Sequence, residues 1–286
     1  MKTLHGKVVA ITGAGSGIGR ETAIAMAKLG ASLAISDVNT QGLAETQAQC
    51  QQLGVRCVST ELDVANREAV YAWAQATRDS FGQVNVIINN AGVSLGSTVA
   101  DMRYEDFEWL MNINFWGVVY GTRAFLPHLH ASGDGHIVNI SSLFGLMAMP
   151  ANSAYNAAKF AVRGFTESLS EELMLDDAAV NVTSVHPGGI DTNIARGGRV
   201  TPNSKWGLVD PEQSGKEFKK LARTTPAQAA QQIVDAILHN RRRLLIGADA
   251  KLLDIVQRIA PVGYQSLVTR VVKRTRSAIA SARATQ

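Results

Sequence analysis

Two hydrophobic periods alternate along this chain, and their alternation restricts the fold more than any other feature. Short β-branched runs, "KVVAIT", "SLAIS", "RCVST", "VNVIIN", "HIVNIS", "VNVTSVH" and "RRLLIG", read as strands. Between them lie longer segments with helical spacing of apolar residues, such as Arg20 to Leu29 and Asp106 to Leu129. Strands and helices in strict alternation pack as a parallel sheet with helices on both faces. These runs are apolar enough to be covered on both sides. The expectation is an α/β fold built on one doubly wound parallel sheet of about seven strands. A length of 286 residues, 46% hydrophobic and 18% charged, is enough for such a core.

One region breaks the alternation. Residues 193–225 are rich in Gly, Pro, Lys and polar side chains, with Trp206, Leu208, Phe218 and Leu221 as the larger apolar anchors. A long irregular stretch inside a compact domain reads as a substrate lid or as a surface insertion. The division expected is a catalytic domain over residues 1–248, the lid at about 193–225 within it, and a helical extension over 249–286.

Several function classes are excluded early. Two cysteines, Cys50 and Cys57, are too few for a disulfide framework and lack metal-ligand spacing, so no metal is expected. The first apolar run is too short for a signal peptide, and the longest uncharged run, Gly135 to Ala158, is broken by Asn, Ser and Pro. A cytoplasmic protein is expected. Net charge is +4, but from Lys251 onward there are seven Lys/Arg against one acid, which leaves 21 basic and 23 acidic groups before it. The scattered basic residues of the body lack interleaved aromatics, and no nucleic-acid footprint is read there.

Directly after the first strand comes "TGAGSGIG", with Gly13, Gly15, Gly17 and Gly19 leading into a helix that begins near Ile18. A strand, a glycine turn and a helix N-terminus in that order let backbone amides and the helix dipole face a pyrophosphate. The second strand run ends at Asp37, eighteen residues past Gly19, close to the spacing at which an acid meets an adenosine ribose. Its neighbours Val38 and Asn39, and Ser16 in the glycine turn, are uncharged. A carboxylate there accepts ribose hydroxyls and repels a 2'-phosphate, so NAD is favoured over NADP.

Further along, "SAYNAAKFAVRGFTESL" places Tyr155 and Lys159 four residues apart, on one face of a helix. Together with "TGAGSGIG", "NNAG" (Asn89 to Gly92), Asn114, "ISS" ending at Ser142 and "HPGGIDT", this pair makes the chain resemble the short-chain dehydrogenase/reductase family over roughly residues 5 to 248. The resemblance implies a single Rossmann-type sheet and hydride transfer between NAD(H) and the carbinol or carbonyl carbon of an alcohol or ketone. It implies that Tyr155 is the general acid/base, with a pKa lowered by Lys159 and by oxidised nicotinamide. Lys159 would also bond the nicotinamide ribose, Ser142 would hold the substrate oxygen, and Asn114 would hold a water in a relay to Lys159.

The cofactor set implied by the same resemblance is Gly13, Ser16, Gly17, Ile18 and Gly19 in the cradle, and Asp37 at the ribose. Asp63 and Val64 would lie at adenine, and Asn90, Ala91 and Gly92 along the dinucleotide. Tyr155 and Lys159 would meet the nicotinamide ribose, and Pro187, Gly188, Ile190 and Thr192 the nicotinamide end. Read by themselves, Ser142 is equally a serine capping a turn, Asn114 a satisfied buried amide, and His186 a packing residue. Ser94, Leu95, Leu143 and Met149 are the positions expected to meet substrate, and their character favours an apolar alcohol or ketone.

In the extension, Tyr264, Leu267, Val268, Val271 and Val272 follow helical spacing while Arg270, Lys273, Arg274 and Arg276 take other faces. Such a basic amphipathic helix folds back on its own domain, lies on an anionic membrane surface, or packs on a sister subunit of a homodimer or homotetramer. Two alternatives to the leading reading stand beside it: an NADP-dependent ketoreductase with the same residues, and a catalytically silent nucleotide sensor or scaffold on the same fold.

Overall fold

The computed structural model describes residues 1–192, 194, 197–203 and 224–284, with side chains described as far as residue 274. The seven expected runs form seven strands of one parallel sheet: β1 (Val8–Thr12), β2 (Ser32–Asp37), β3 (Cys57–Glu61), β4 (Val86–Asn89), β6 (Gly135–Ile140), β7 (Val180–Pro187) and β9 (Arg243–Ile246). Their spatial order is β3-β2-β1-β4-β6-β7-β9. The chain winds outward from β1 to β3, then returns to β4 on the other side of β1. The crevice at the carboxyl ends of β1 and β4 is therefore the switch point, where ligands bind in open α/β sheets.

The helices α1 (Gly17–Lys28), α2 (Thr40–Gln52), α3 (Arg67–Phe81), α4 (Tyr104–Met111), α5 (Gly117–Ala131), α6 (Ser153–Leu175) and α7 (Pro226–Leu238) follow strands or loops as the alternation predicts. Val9, Ile11, Leu33, Ile35, Val86 and Ile88 project to one face of the sheet, against Met26, Ile233 and Ile237. Ala10, Ala34 and Ile87, one residue out of phase, project to the other face, against Trp73, Phe125 and Leu129. Cys50 and Cys57 are buried free thiols in the first of these layers.

The helical reading over Asp106 to Leu129 needs a correction. Between α4 and α5 the residues Asn112–Trp116 form a π-helical turn. Such turns recur at functional sites, and this one contains the buried Asn114. A second, two-stranded sheet joins β5 (Leu95–Gly96) to β8 (Arg199–Val200). It anchors the start of the expected lid: Arg199 pairs with Asp106 at 2.7 Å and lies 3.9 Å over the Trp109 ring. The lid's apolar anchors Trp206, Leu208, Phe218 and Leu221 lie outside the described residues.

The extension forms two helices, α8 (Ala248–Ile259) and α9 (Gly263–Ala284). Tyr264 and the partly buried Val268 pack against Leu143, Leu146 and Met147, so that part of the stripe folds back on its own domain. Leu267 and Val271 face outward. Among the described residues no helix is long and apolar enough to cross a membrane.

Candidate active site

The glycine turn after β1 is shaped by close approach. Gly13 and Gly17 have φ of 67° and 54°, in the left-handed region that favours glycine. A side chain on Gly13 would stand 2.7 Å from the Ala91 Cα, and one on Gly15 would stand 2.8 Å from an Asp37 carboxylate oxygen. Asp37 Oδ2 accepts from the Gly15 amide at 2.8 Å, and Oδ1 accepts from Asn39 at 2.9 Å. Ser16 is the N-cap of α1 and makes no side-chain capping bond, and the first turn carries no acid. The helix therefore presents amides and a positive dipole end without a resident carboxylate. Ile18 lies in that first turn and Gly19 is buried against Gly13.

Three residues of this region were not singled out from sequence. Arg20 donates to the carbonyls of Gly15 (2.6 Å) and Gly42 (3.0 Å), pairs with Glu45, and so pins the turn from behind. Thr12 Oγ1 accepts from the Asn90 and Ala91 amides at 3.0 and 3.1 Å. Asn90 returns two bonds to the Thr12 and Gly13 carbonyls, so its side chain fastens the turn after β4 to the turn after β1. The third is Asp249, at the start of α8. It accepts from the Gly189 amide at 2.7 Å and packs close over Gly188. The turn at Pro187 and Gly188 is thus held by the extension.

Asp63 stands exposed at the end of β3, beside the tip of β2, and accepts from Ala65. Val64 is buried against Gly117. Ile190 is buried, and the Thr192 methyl comes within 3.3 Å of where a side chain on Gly17 would lie. Ser16, Gly17, Arg20, Glu21, Asp191 and Thr192 share a recess of about 240 Å³. A recess of about 300 Å³ lies at the other end of the sheet, by the first residues of β7, away from all of these groups.

Ser142, Tyr155, Lys159 and Asn114 come together at the carboxyl ends of β4 and β6. Ser142 does cap a turn, accepting from Phe144 at 3.1 Å, and it also shares a hydrogen bond with the Tyr155 hydroxyl. Lys159, one helical turn beyond Tyr155, is 2% exposed; its ammonium donates to the Ile140 carbonyl at 2.9 Å and stands 5.6 Å from the Tyr155 ring centroid. Asn114 is buried, with its amide paired both ways to Val93 at 2.8 Å. A side chain on Gly92 would lie 3.2 Å from Asn114 Oδ1 and 3.7 Å from Lys159 Nζ, so both groups reach the same glycine. His186 Nδ1 donates to the Ser142 carbonyl (3.2 Å) and Nε2 accepts from Ser184 (3.0 Å), which leaves both ring nitrogens occupied. Burial pushes this imidazole down to about 4, consistent with the packing reading.

The protein alone does not produce the lowered phenol expected for Tyr155. Burial pushes Tyr155 up to about 12, with the Ser142 bond opposing it, and burial pushes Lys159 down to about 8. Desolvation disfavours each charged form. Two of the expected substrate positions are corrected as well: Leu95 and Leu143 are buried in side-chain clusters. Ser94 stays partly exposed with its hydroxyl bonded to the Ile194 carbonyl, and Met149 is partly buried.

Known proteins resemble this chain over most of its length. Residues 7–202 match the short chain dehydrogenase family. A Mycobacterium tuberculosis protein named "Putative oxidoreductase SadH" is 48% identical over 276 residues, spanning 96% of this chain and 98% of its own length. The Homo sapiens protein named estradiol 17-beta-dehydrogenase 11 is 30% identical over 273 residues, spanning 95% and 85%. A solved short chain dehydrogenase/reductase from Burkholderia phymatum, in complex with NAD, superposes with a TM-score of 0.83 at 30% identity, over 91% of this chain and 95% of its own.

Proposed function

Because this chain belongs to the short-chain dehydrogenase/reductase family of oxidoreductases, we propose that it is an NAD-dependent alcohol dehydrogenase or carbonyl reductase acting on an apolar alcohol or ketone. The observation that carries this reading is the meeting of the Ser142-bonded Tyr155 hydroxyl, the buried Lys159 ammonium and Asn114 beside the glycine cradle.

The residues present fit a dinucleotide. Amides at the start of α1 would take the pyrophosphate. Asp37 spends two lone pairs on Gly15 and Asn39 and keeps others for ribose hydroxyls. Arg20, behind the glycine turn, is committed to Gly15, Gly42 and Glu45, which supports NAD over a cofactor bearing a 2'-phosphate. Asp63 and Val64 would flank adenine, Ala91 and Gly92 the middle of the cofactor, and Pro187, Gly188, Ile190 and Thr192 its nicotinamide end. When bound, the cofactor supplies the hydride acceptor and a positive charge.

Tyr155 then takes the hydroxyl proton during alcohol oxidation and returns it during ketone reduction. Ser142 donates to the substrate oxygen as charge develops on it. Lys159 favours the phenolate and bonds the nicotinamide ribose. Asn114 Oδ1 uses one lone pair on the Val93 amide and offers the second to a relay water serving Lys159. Assembly as a homodimer or homotetramer belongs to the same reading, supported by two exposed aromatic side chains, Trp116 at the start of α5 and Phe160 on α6.

The test is a screen of alcohols and ketones with NAD(H) and NADP(H), following absorbance of the reduced nicotinamide. Tyr155→Phe should abolish nearly all turnover of the substrate found while NADH still binds. Retained turnover refutes the role of Tyr155. NAD binding without turnover of any alcohol or ketone would favour the nucleotide-sensing alternative.

A further inference from the structure

The C-terminal helices use their two faces differently. Inward, Ala250 and the partly buried Leu253 and Val256 of α8 join Tyr264 and Val268 of α9 in one cluster with Leu143, Leu146 and Met147. Both helices seat on the same cluster, and each turns its other face outward. There the large apolar side chains are exposed: Leu252, Ile255 and Ile259 on α8, Val262 in the connection, and Leu267 and Val271 on α9. They account for six of the sixteen exposed large hydrophobic residues described, concentrated within twenty positions. Isolated exposed apolar residues need no explanation, but a contiguous row does.

Among the described residues the charges on these faces have one sign. Lys251 and Arg258 flank the α8 row, and Arg270 and Arg274 share the α9 face with Leu267 and Val271 at helical spacing. Asp254 is the one acid from Ala250 to Arg274; it is turned inward and held by Arg243 at 2.7 Å and Arg258 at 3.1 Å. A second copy of the chain docked through a two-fold axis would meet this patch with itself, cation against cation and no acid to pair. An anionic bilayer surface offers what the face lacks: an apolar layer for the aliphatic row, and phosphates for the basic heads whose stems lie beside it.

We propose that the outward face of α8 and α9 is a docking surface for anionic lipid, with the helices lying on the bilayer. The full chain should sediment with vesicles of phosphatidylcholine mixed with phosphatidylglycerol and not with phosphatidylcholine alone, and raised salt should release it. Each basic residue near an anionic surface contributes about a fivefold factor. The double variant Arg270→Gln, Arg274→Gln should therefore partition roughly 25-fold more weakly, and Leu267→Asp with Val271→Asp should abolish partitioning. Both variants should keep the wild-type circular dichroism and NADH binding. No vesicle binding, equal binding to neutral and anionic vesicles, or unchanged partitioning of both variants overturns the proposal. So does a fall in solution mass by light scattering in the Asp variant, which would make the face a subunit contact.

Discussion

Replacing Lys159 by Met tests how the site is charged. In the wild-type protein this ammonium is buried, and burial brings its pKa from the ordinary 10.5 down to about 8. Below pH 8 the folded and unfolded chains both carry the proton, and the folded chain bears the full cost of the buried charge. Between about pH 8 and 10.5 the folded chain has lost the proton and the unfolded chain still binds it, so stability rises with pH; above that window it levels off. At 1.36 kcal/mol per pH unit the gap is roughly 3 kcal/mol, of which about 2.5 kcal/mol is realised by pH 10. Met at 159 has nothing to titrate. Losing the bond to the Ile140 carbonyl costs the variant the same at every pH, and the other titrating groups are common to both proteins. The wild-type stability minus the variant's, from urea unfolding at pH 7, 8, 9 and 10, should therefore climb by about 2 to 3 kcal/mol. A flat or falling difference would show that Lys159 is not desolvated in the folded chain, and the reasoning would fail.

Three further outcomes follow from the same geometry. In an ultraviolet difference titration the Tyr155 contribution, identified by its loss in Tyr155→Phe, should stay absent until about pH 12 in the free protein and move to lower pH when oxidised NAD is added. Asp37→Ala removes a carboxylate worth about 1.5 to 3 kcal/mol per charge-assisted bond, and the ratio of NADP to NAD dissociation constants should move towards NADP; an unchanged ratio would show that Asp37 does not read the ribose. Tyr264→Ala empties a buried aromatic site and leaves the Ala148 amide without its 3.1 Å partner, so stability should fall by about 3 kcal/mol or more by chemical denaturation. In that variant the Michaelis constant for substrate should rise while NADH affinity holds.

The strands were legible in the sequence because they are short apolar runs, the inner ones buried on both faces and the edge strands β3 and β9 partly so, and the pattern needs nothing but local chemistry to be read. The cradle was legible for a related reason: Gly13 and Gly17 occupy backbone conformations that other residues resist, so the turn advertises itself. The π-helical turn was not legible. Its apolar spacing continues that of α4 and α5, and its Asn114 amide is tied to Val93, a partner twenty-one positions away that no local pattern indicates. Arg20 was not legible as a clamp, since its partners Gly15 and Gly42 lie on a different turn and a different helix. The tail misled in the same way. Its stripe was read as one face, and the packing divides it between Tyr264 with Val268 inside and Leu267 with Val271 outside.

The opposed shifts of Tyr155 and Lys159 come from one cause and bear on when the site becomes a base. A phenolate in the free protein would be a second buried charge beside an ammonium that burial already disfavours. Burial leaves the proton on Tyr155 in the free protein, although the Ser142 bond works the other way. On the function proposed, the charge that favours phenolate comes from outside the chain, with the dinucleotide that the cradle, Asp37 and Thr192 would hold. On that proposal, proton abstraction would be available only to the loaded site. A free protein that bound alcohol would have no strong base with which to act on it, and Tyr155 would stay protonated across the neutral range.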